Sequence, residues 1–332
     1  MKELILELKE RVKTGGEISY EEALMLAEVT EEVNIDQLRE AAHELTIHFH
    51  QNKPSLCSLV NAKSYLCGED CRFCAQSVHY QTLTERYGLI GIDEIAEAGK
   101  KAEAAGTRHF CIVTSGAALE EDEFEKVTEA VKRLRAETAL EIDASIGHLS
   151  LERVKRLKEA GLRRVNNNVQ CSHAFYPKIV STHSYEDRLE TLRNLREGGL
   201  EICAGGILGM GESREDRIQM AFELKAFQPE CFPVNILNPR PGTPLERMPR
   251  LDLQEIIKTI AIYRFILPKS VIKLAGGREF NLGKFQEKVL RGGANGLVIG
   301  GYLTTCGNPV SEDMKMLERA GYVLGNGTAK AE

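Results

Sequence analysis

Three cysteines, Cys67, Cys71 and Cys74, stand in the run SYLCGEDCRFCAQS at the spacing C-x3-C-x2-C. Thiolates are soft donors that select iron–sulfur clusters, zinc or Cu(I) over harder metals. Three of them on one short loop can each hold a different iron of a four-iron cluster and leave the fourth iron open. An open iron can bind and reduce a substrate, whereas a cluster with four cysteine ligands chiefly carries electrons. Zinc is the competing reading. Structural zinc takes four ligands, commonly as two separated C-x2-C pairs, and this chain has one triplet with His79 as the near fourth candidate.

The other cysteines are Cys57, Cys111, Cys171, Cys203, Cys231 and Cys306. Cys57, Cys111, Cys203 and Cys231 each fall near the start of an apolar run that reads as a strand. Thiols converging from separate strands can form a second, buried metal site; singly, each reads as a small buried hydrophobe. His79, His109, His148 and His173 share no ligand spacing and are read as structural.

The net charge of −6 and the lack of a long basic run argue against nucleic acid as a partner. No stretch approaches the ~20 apolar residues of a membrane span. The start, MKELILELKERVK, reads as an amphipathic surface helix rather than a signal peptide. With nine cysteines and no secretory signal, the chain is expected in the reducing cytoplasm, where metal or catalytic roles outrank disulfides.

The elements that must position these residues follow a repeating pattern. Residues 1–53 read as an N-terminal helical extension, with Ser19 and Glu22 spelling a helix start. From residue 54 to 320, short apolar runs at 57–62, 109–114, 139–144, 164–169, 201–208, 231–237, 271–275 and 296–300 alternate with amphipathic segments. The latter lie at 92–105, 122–137, 149–160, 185–197, 214–227, 253–267 and 280–291. Gly106, Gly161 and Gly198 mark helix stops, and Ser213 and Asp252 helix caps. Eight strand–helix units predict an α/β fold, a (β/α)8 TIM-type barrel, over an open doubly wound sheet. The loops after strand C-termini then form the active face, and the cysteine triplet directly follows the first strand. Residues 321–332 read as a C-terminal tail, frayed over GNGTAKAE.

The triplet, with Phe73 between its second and third cysteines, resembles the signature of the radical S-adenosylmethionine (SAM) superfamily. Over residues 40–320 the resemblance narrows to the biotin synthase family. It is carried by LCGEDCRFCAQ, RHFC, NNNVQ, SYEDRLETL, CAGGILGMGE, PVNILNPRPGTPL, LAGGRE, and GANG followed by LTT. The resemblance implies a [4Fe–4S] cluster and SAM at the barrel mouth and an auxiliary iron–sulfur cluster, 2Fe–2S or larger, deeper in. It places dethiobiotin between the two, receiving sulfur at C9 and C6. It also implies a flavodoxin or ferredoxin as electron donor and a homodimer. By position, Cys111 and Cys203 match two of three auxiliary-cluster cysteines, and Arg278 an arginine ligand. Asp143 stands where the third cysteine is expected, and an oxygen donor is a poor substitute for thiolate. Cys231 stands where serine is expected and is read as the replacement thiolate, with Cys57 a further candidate. Asp143 then becomes a buried acid, pairing with Arg278.

The same resemblance assigns Arg188 to the SAM carboxylate, Gln170 to its ribose, Ile207 to its adenine and Phe73 to the nucleoside side. Gln170 replaces an aspartate, keeping acceptor capacity but losing the charge. Asn168, at the same strand end as Gln170, is assigned to both the cofactor and the ureido ring, Asn235 to the ureido ring, and Thr304 and Thr305 to the substrate carboxylate. Taken singly, Arg188 reads as a solvated helix residue, the asparagines as strand-end residues and the glycine run as a bulge. The expected activity is a radical SAM sulfurtransferase. The rivals are the hydrogenase maturase and methylornithine synthase types of the same branch, and a non-catalytic iron–sulfur or zinc module.

Overall fold

Ser19 accepts a hydrogen bond from the Glu22 amide while the Glu22 carboxylate accepts one from the Ser19 amide, closing the capping box that the sequence spells. This start belongs to the second of three N-terminal helices, α1 (Lys2–Lys13), α2 (Tyr20–Ala27) and α3 (Glu32–His50). The computed structural model describes residues 1–324. GNGTAKAE lies outside the described residues, whereas Tyr322, just before it, is buried and donates to the carbonyls of Ala294 and Leu290 at 2.6 and 3.1 Å.

Nine parallel strands follow: β1 (Ser55–Lys63), β2 (His109–Thr114), β3 (Glu141–Ser145), β4 (Arg164–Asn166), β5 (Glu201–Cys203), β6 (Gly206–Leu208), β7 (Cys231–Ile236), β8 (Val271–Leu274) and β9 (Gly296–Val298). Their order is β5-β4-β3-β2-β1-β9-β8-β7-β6, and a further pairing of β5 with β7 closes the sheet. β5 and β6 are two halves of one strand, so the result is a closed eight-stranded barrel. The covering helices are α4 (Ile92–Ala104), α5 (Glu121–Glu137), α6 (Leu151–Glu159), α7 (Tyr185–Glu197), α8 (Arg214–Lys225), α9 (Leu253–Ile266), the short α10 (Arg278–Leu282) and α11 (Gln286–Leu290), and α12 (Val310–Arg319). None is long and apolar enough to cross a membrane.

The break between β5 and β6 explains the glycine run. A Cβ on Gly205 would lie 2.1 Å from the Pro233 carbonyl oxygen, and one on Gly206 would lie 2.4 Å from that of Gln170. Only glycine lets this strand pass between its neighbours, so the run serves barrel closure. One expected helix, 280–291, is instead split into α10 and α11 by a 3-10 turn, where Gly283 takes φ 47°.

The N-terminal helices cover α8 and α9, which makes α9 buried along most of its length. At its end the fully buried Arg264 donates to the carbonyls of Ser270, Pro268 and Gly293 at 2.8, 2.9 and 3.0 Å and to Asn295 Oδ1 at 2.7 Å. It also lies 2.9 Å from His50 Nε2 on α3. A guanidinium can only donate, so His50 Nε2 must accept and the ring stays neutral. Burial first, then Arg264, push the His50 pKa from 6.5 down to about 4. The unfolded chain therefore binds more protons between these values, and stability falls as pH drops from 6.5 toward 4. Urea titrations of the wild type and His50→Gln at pH 7.5 and 5.5 check this: the wild type is expected to lose more stability than the variant between the two.

Candidate active site

Barrel interiors are normally packed with branched apolar side chains. Here the inward positions of the strands carry thiols, charges and amides around a cavity of about 360 Å³. Its wall includes Cys57, Cys111, Asp143, Cys203 and Lys273 at depth, Asn166, Asn168, Gln170, Ile207 and Asn235 above them, and Phe73, Arg240, Thr304 and Thr305 toward the mouth.

The mouth is built by the loop after β1. Tyr65 and Leu66 take φ of 60° and 49°, a left-handed pair that swings the chain away from the strand direction just before Cys67. Cys67 then pairs with the returning chain: the Val78 amide donates to its carbonyl at 2.9 Å. The Cys74 amide donates to the Cys71 carbonyl at 2.9 Å, folding the triplet into one compact turn. Burial, then the neighbouring sulfurs, raise the Cys71 thiol, with Arg188 opposing. Burial also takes the Cys74 thiol up to about 11 against the pull of the Gln76 and Ser77 amides. Metal binding would release these protons. Among the described residues, no three His, Cys, Asp or Glu side chains converge tightly enough to share a single ion. A four-iron cluster makes a different demand, since each thiolate binds a different iron.

This loop is tied to the chain after β4. Partial burial disfavours the Asp70 carboxylate, yet hydrogen bonds from the Ser181 and Thr182 amides, at 2.9 and 3.2 Å, and from their hydroxyls hold its pKa down to about 2. Glu69 meets His183 Nδ1, and Arg188 Nη2 lies 2.8 Å from His183 Nε2. Because the guanidinium donates, His183 carries its proton on Nδ1, toward Glu69. The other partners of Arg188 are Asn167 Oδ1 at 3.3 Å and the Tyr176 hydroxyl at 3.5 Å. Arg188 is thus a cation held by neutral groups beside Cys71, with no carboxylate in ion-pairing distance among the described residues.

At the floor, strand register sets the spacing. Cys111 lies level with Asp143, Asp143 with Arg164, and Cys203 with Cys231. Cys57 and Cys111 form a small cluster with Val113. All four deep thiols are free and buried. Burial raises Cys57 and Cys111. Cys203 and Cys231 face each other across the seam and compete for one proton, which raises the first thiol and lowers the second, with Lys273 and Arg164 favouring the thiolate. Asp143 accepts from Arg164 Nη2 at 3.0 Å and Nε at 3.2 Å, and lies 3.4 Å from His109 Nδ1. Burial works against its ionisation, but Arg164 outweighs this and its carboxyl stays below the ordinary value.

Two expectations change here. Arg278 does not face the cavity. It opens α10, is 1 % exposed, and binds Asp313 at 2.5 Å, Gln286 and the Tyr302 hydroxyl, which locks α10 to α12. Its position after the end of β8 directs the side chain away from the barrel axis. Asp143 accordingly pairs with Arg164, not Arg278. The cation that does face the thiols is Lys273, inside β8: it is 3 % exposed, lines the cavity and makes no hydrogen bond among the described residues. Three sulfurs, those of Cys231, Cys57 and Cys203, raise its pKa against the effect of burial.

The middle of the cavity is an amide belt. Asn168 Oδ1 accepts from the Gly205 amide at 3.0 Å, which aims its NH2 group elsewhere. Asn235 is engaged at both ends, accepting from the Gly276 amide at 3.0 Å and donating to the Gly206 carbonyl at 3.3 Å. Asn166 Oδ1, Gln170 Oε1 and Asp143 Oδ1 are buried with no donor. Gln170 is held at φ 70° by its bridge to Gly206. Phe73, Ile207, Thr304 and Thr305 line the same space, while Cys171 packs in the main core and Cys306 is exposed.

Sequence reasoning overlooked Arg164, Lys273, Asn166 and Arg240. For the first two a signal existed. Strands of a parallel barrel read as continuous apolar runs, so a cation inside such a run, as in VIKLA, points to a charged interior.

Two family models cover most of the chain: the radical SAM superfamily over residues 63–224 and the biotin and thiamin synthesis associated domain over 233–323. Among curated relatives, the biotin synthase of Clostridium tetani is 42 % identical over 98 % of this chain and 99 % of its own length. That of Acetivibrio thermocellus is 43 % identical over 95 % and 97 %. Among solved structures, methylornithine synthase superposes with a TM-score of 0.83 at 20 % identity, covering 96 % of this chain and 98 % of its own. A maturase of the [FeFe]-hydrogenase gives 0.83 at 17 %, covering 97 % and 75 %. At such identities these two establish the barrel alone.

Proposed function

Because the chain belongs to the biotin synthase family of radical SAM enzymes, we propose that its cavity holds dethiobiotin between SAM at the mouth and a thiol-bound sulfur source at the floor. The enzyme is a radical SAM sulfurtransferase that makes biotin, with a [4Fe–4S] cluster, SAM and an auxiliary iron–sulfur cluster as cofactors. When bound, a cluster at the mouth would supply reducing power to SAM, and one at the floor would supply sulfide for the product.

The protein's own part is holding and shielding. Cys67, Cys71 and Cys74 are the thiolates of the mouth cluster, and the missing fourth thiolate leaves room for the SAM amino and carboxylate groups. Arg188, a cation among neutral partners, neutralises that carboxylate. Phe73 and Ile207 flank the nucleoside. The unsatisfied Gln170 Oε1 suits a ribose hydroxyl, and Asn166 Oδ1 with the free NH2 of Asn168 suits the N–H and C=O of a urea. Asn235, with both ends on backbone, shapes the wall. Thr304 and Thr305 receive the carboxylate end.

The observation that carries the reading of the floor is four free, buried cysteines with two buried cations, Arg164 and Lys273. We assign Cys57, Cys111, Cys203 and Cys231 as the auxiliary thiolates. The two cations offset the charge of a thiolate-bound cluster, and Asp143 orients Arg164 rather than serving as a ligand. Four thiolates complete the ligand set of a [2Fe–2S] or a [4Fe–4S] cluster alike, so Mössbauer spectra decide the nuclearity. A flavodoxin or ferredoxin donor, a homodimeric state and the cytoplasm, where nine unpaired cysteines stay reduced, complete the reading.

The test is anaerobic incubation of reconstituted enzyme with dethiobiotin, SAM and a reductant. Biotin is expected together with two 5′-deoxyadenosines per molecule, because two C–H bonds are broken. SAM cleavage with no biotin would overturn the substrate assignment.

A further inference from the structure

Two cations line the cavity wall, Lys273 among the floor thiols and Arg240 at the rim. Arg240 follows β7 in the run NPRPGTP. Proline on either side narrows its backbone freedom. The Thr243 hydroxyl and amide donate to its carbonyl at 2.8 and 3.1 Å. Gly242, at φ 84°, presses this turn against the Gln81 carbonyl, 2.0 Å from where a Cβ would stand. The backbone is therefore pinned, yet the guanidinium makes no hydrogen bond or ion pair among the described residues. A half-buried, unpartnered arginine on a fixed turn is poised for a ligand rather than for stability.

Its position narrows the ligand. Arg240 lines both the barrel cavity and an adjoining groove of about 440 Å³, and Thr304 and Thr305 line the same two spaces. A carboxylate there meets a planar fork of donors and hydroxyls from one side. Glu85 also borders the groove but lies beyond ion-pairing distance, so it sets the sign of the outer wall without neutralising Arg240.

We propose that Arg240 is the anchor for the substrate carboxylate. It makes the enzyme selective for an acid at the end of the alkyl chain and sets the depth at which the ureido ring stops. The inference rests on dethiobiotin being the substrate. Because Arg240 contributes no internal pair, Arg240→Gln should fold as the wild type does.

The experiment uses reconstituted holoenzyme with SAM under anaerobic conditions. It compares dethiobiotin with its primary alcohol, which keeps the ring and chain but has no charge. Equilibrium dialysis gives Kd, and saturating turnover gives kcat. Arg240→Gln is expected to weaken dethiobiotin by about 10- to 100-fold and leave the alcohol unchanged. Arg240→Lys is expected to recover part of the loss, and kcat for dethiobiotin should stay within about 2-fold, as for an interaction equal in ground and transition states. Equal losses for acid and alcohol, or no loss for either, would overturn the role of Arg240 while leaving the substrate standing. A wild type that binds neither compound would overturn the substrate itself, and the anchor with it.

Discussion

Cys71→Ala is expected to abolish SAM cleavage and to lower the iron content of anaerobically reconstituted protein by about four per chain. Cys71 is the triplet member beside Arg188, so it joins the metal position to the cation we assign to the SAM carboxylate. Two remaining thiols cannot hold a four-iron cluster with three ligated irons. The loop itself should survive, since its shape comes from backbone bonds at Cys67 and from Asp70 and Glu69 gripping the 181–183 segment. Cys306→Ala, at an exposed position, is the matched control and should leave cleavage unchanged. Iron assay and 5′-deoxyadenosine quantification read the result. Cleavage near the wild-type rate in Cys71→Ala would remove the mouth cluster from the mechanism.

Cys231→Ala is expected to separate the two halves of the reaction. SAM cleavage should continue, uncoupled from product, while biotin falls below detection and iron drops by the auxiliary share. The reason is position: Cys231 is level with Cys203 across the closing seam of the barrel, far from the mouth loop in the strand register. Its loss leaves Lys273 and Arg164 facing one fewer anionic sulfur, so the floor loses a cluster ligand and the two buried cations lose part of the negative charge that offsets them. Mössbauer spectra of the variant should show the mouth cluster alone. A full auxiliary spectrum in Cys231→Ala, with biotin still formed, would remove Cys231 from the auxiliary ligand set. Cys111→Ala should behave in the same way, whereas Cys171→Ala should not affect iron content, because Cys171 packs in the apolar core.

The barrel was legible because its signals are local. Strand runs and helix faces repeat with fixed periods, Ser19, Ser213 and Asp252 announce helix starts, and each of these caps forms. The cysteine triplet was legible because its members are neighbours in sequence and so must be neighbours in space. Glycine had two meanings that sequence could not separate. Gly106 and Gly161 end helices in the left-handed region, but at Gly198 that conformation falls one residue later, on Gly199. Gly205 and Gly206 answer to carbonyls brought close only by closure of the sheet.

The charges of the floor show the same limit more sharply. Composition and motif placed cysteines near strand starts, but which cation met them depended on register. Arg278 and Lys273 are five residues apart in one segment; the strand aims Lys273 inward, and the turn into α10 sends Arg278 to Asp313. Asp143 found Arg164 because β3 and β4 are level there. Local spacing therefore showed the barrel and a thiolate metal loop, and the motifs along the chain carried the resemblance to its family. Tertiary structure alone decided which groups share the cavity, which lack a partner and which cation stands at each end, because contacts between strands far apart in sequence are set by barrel register.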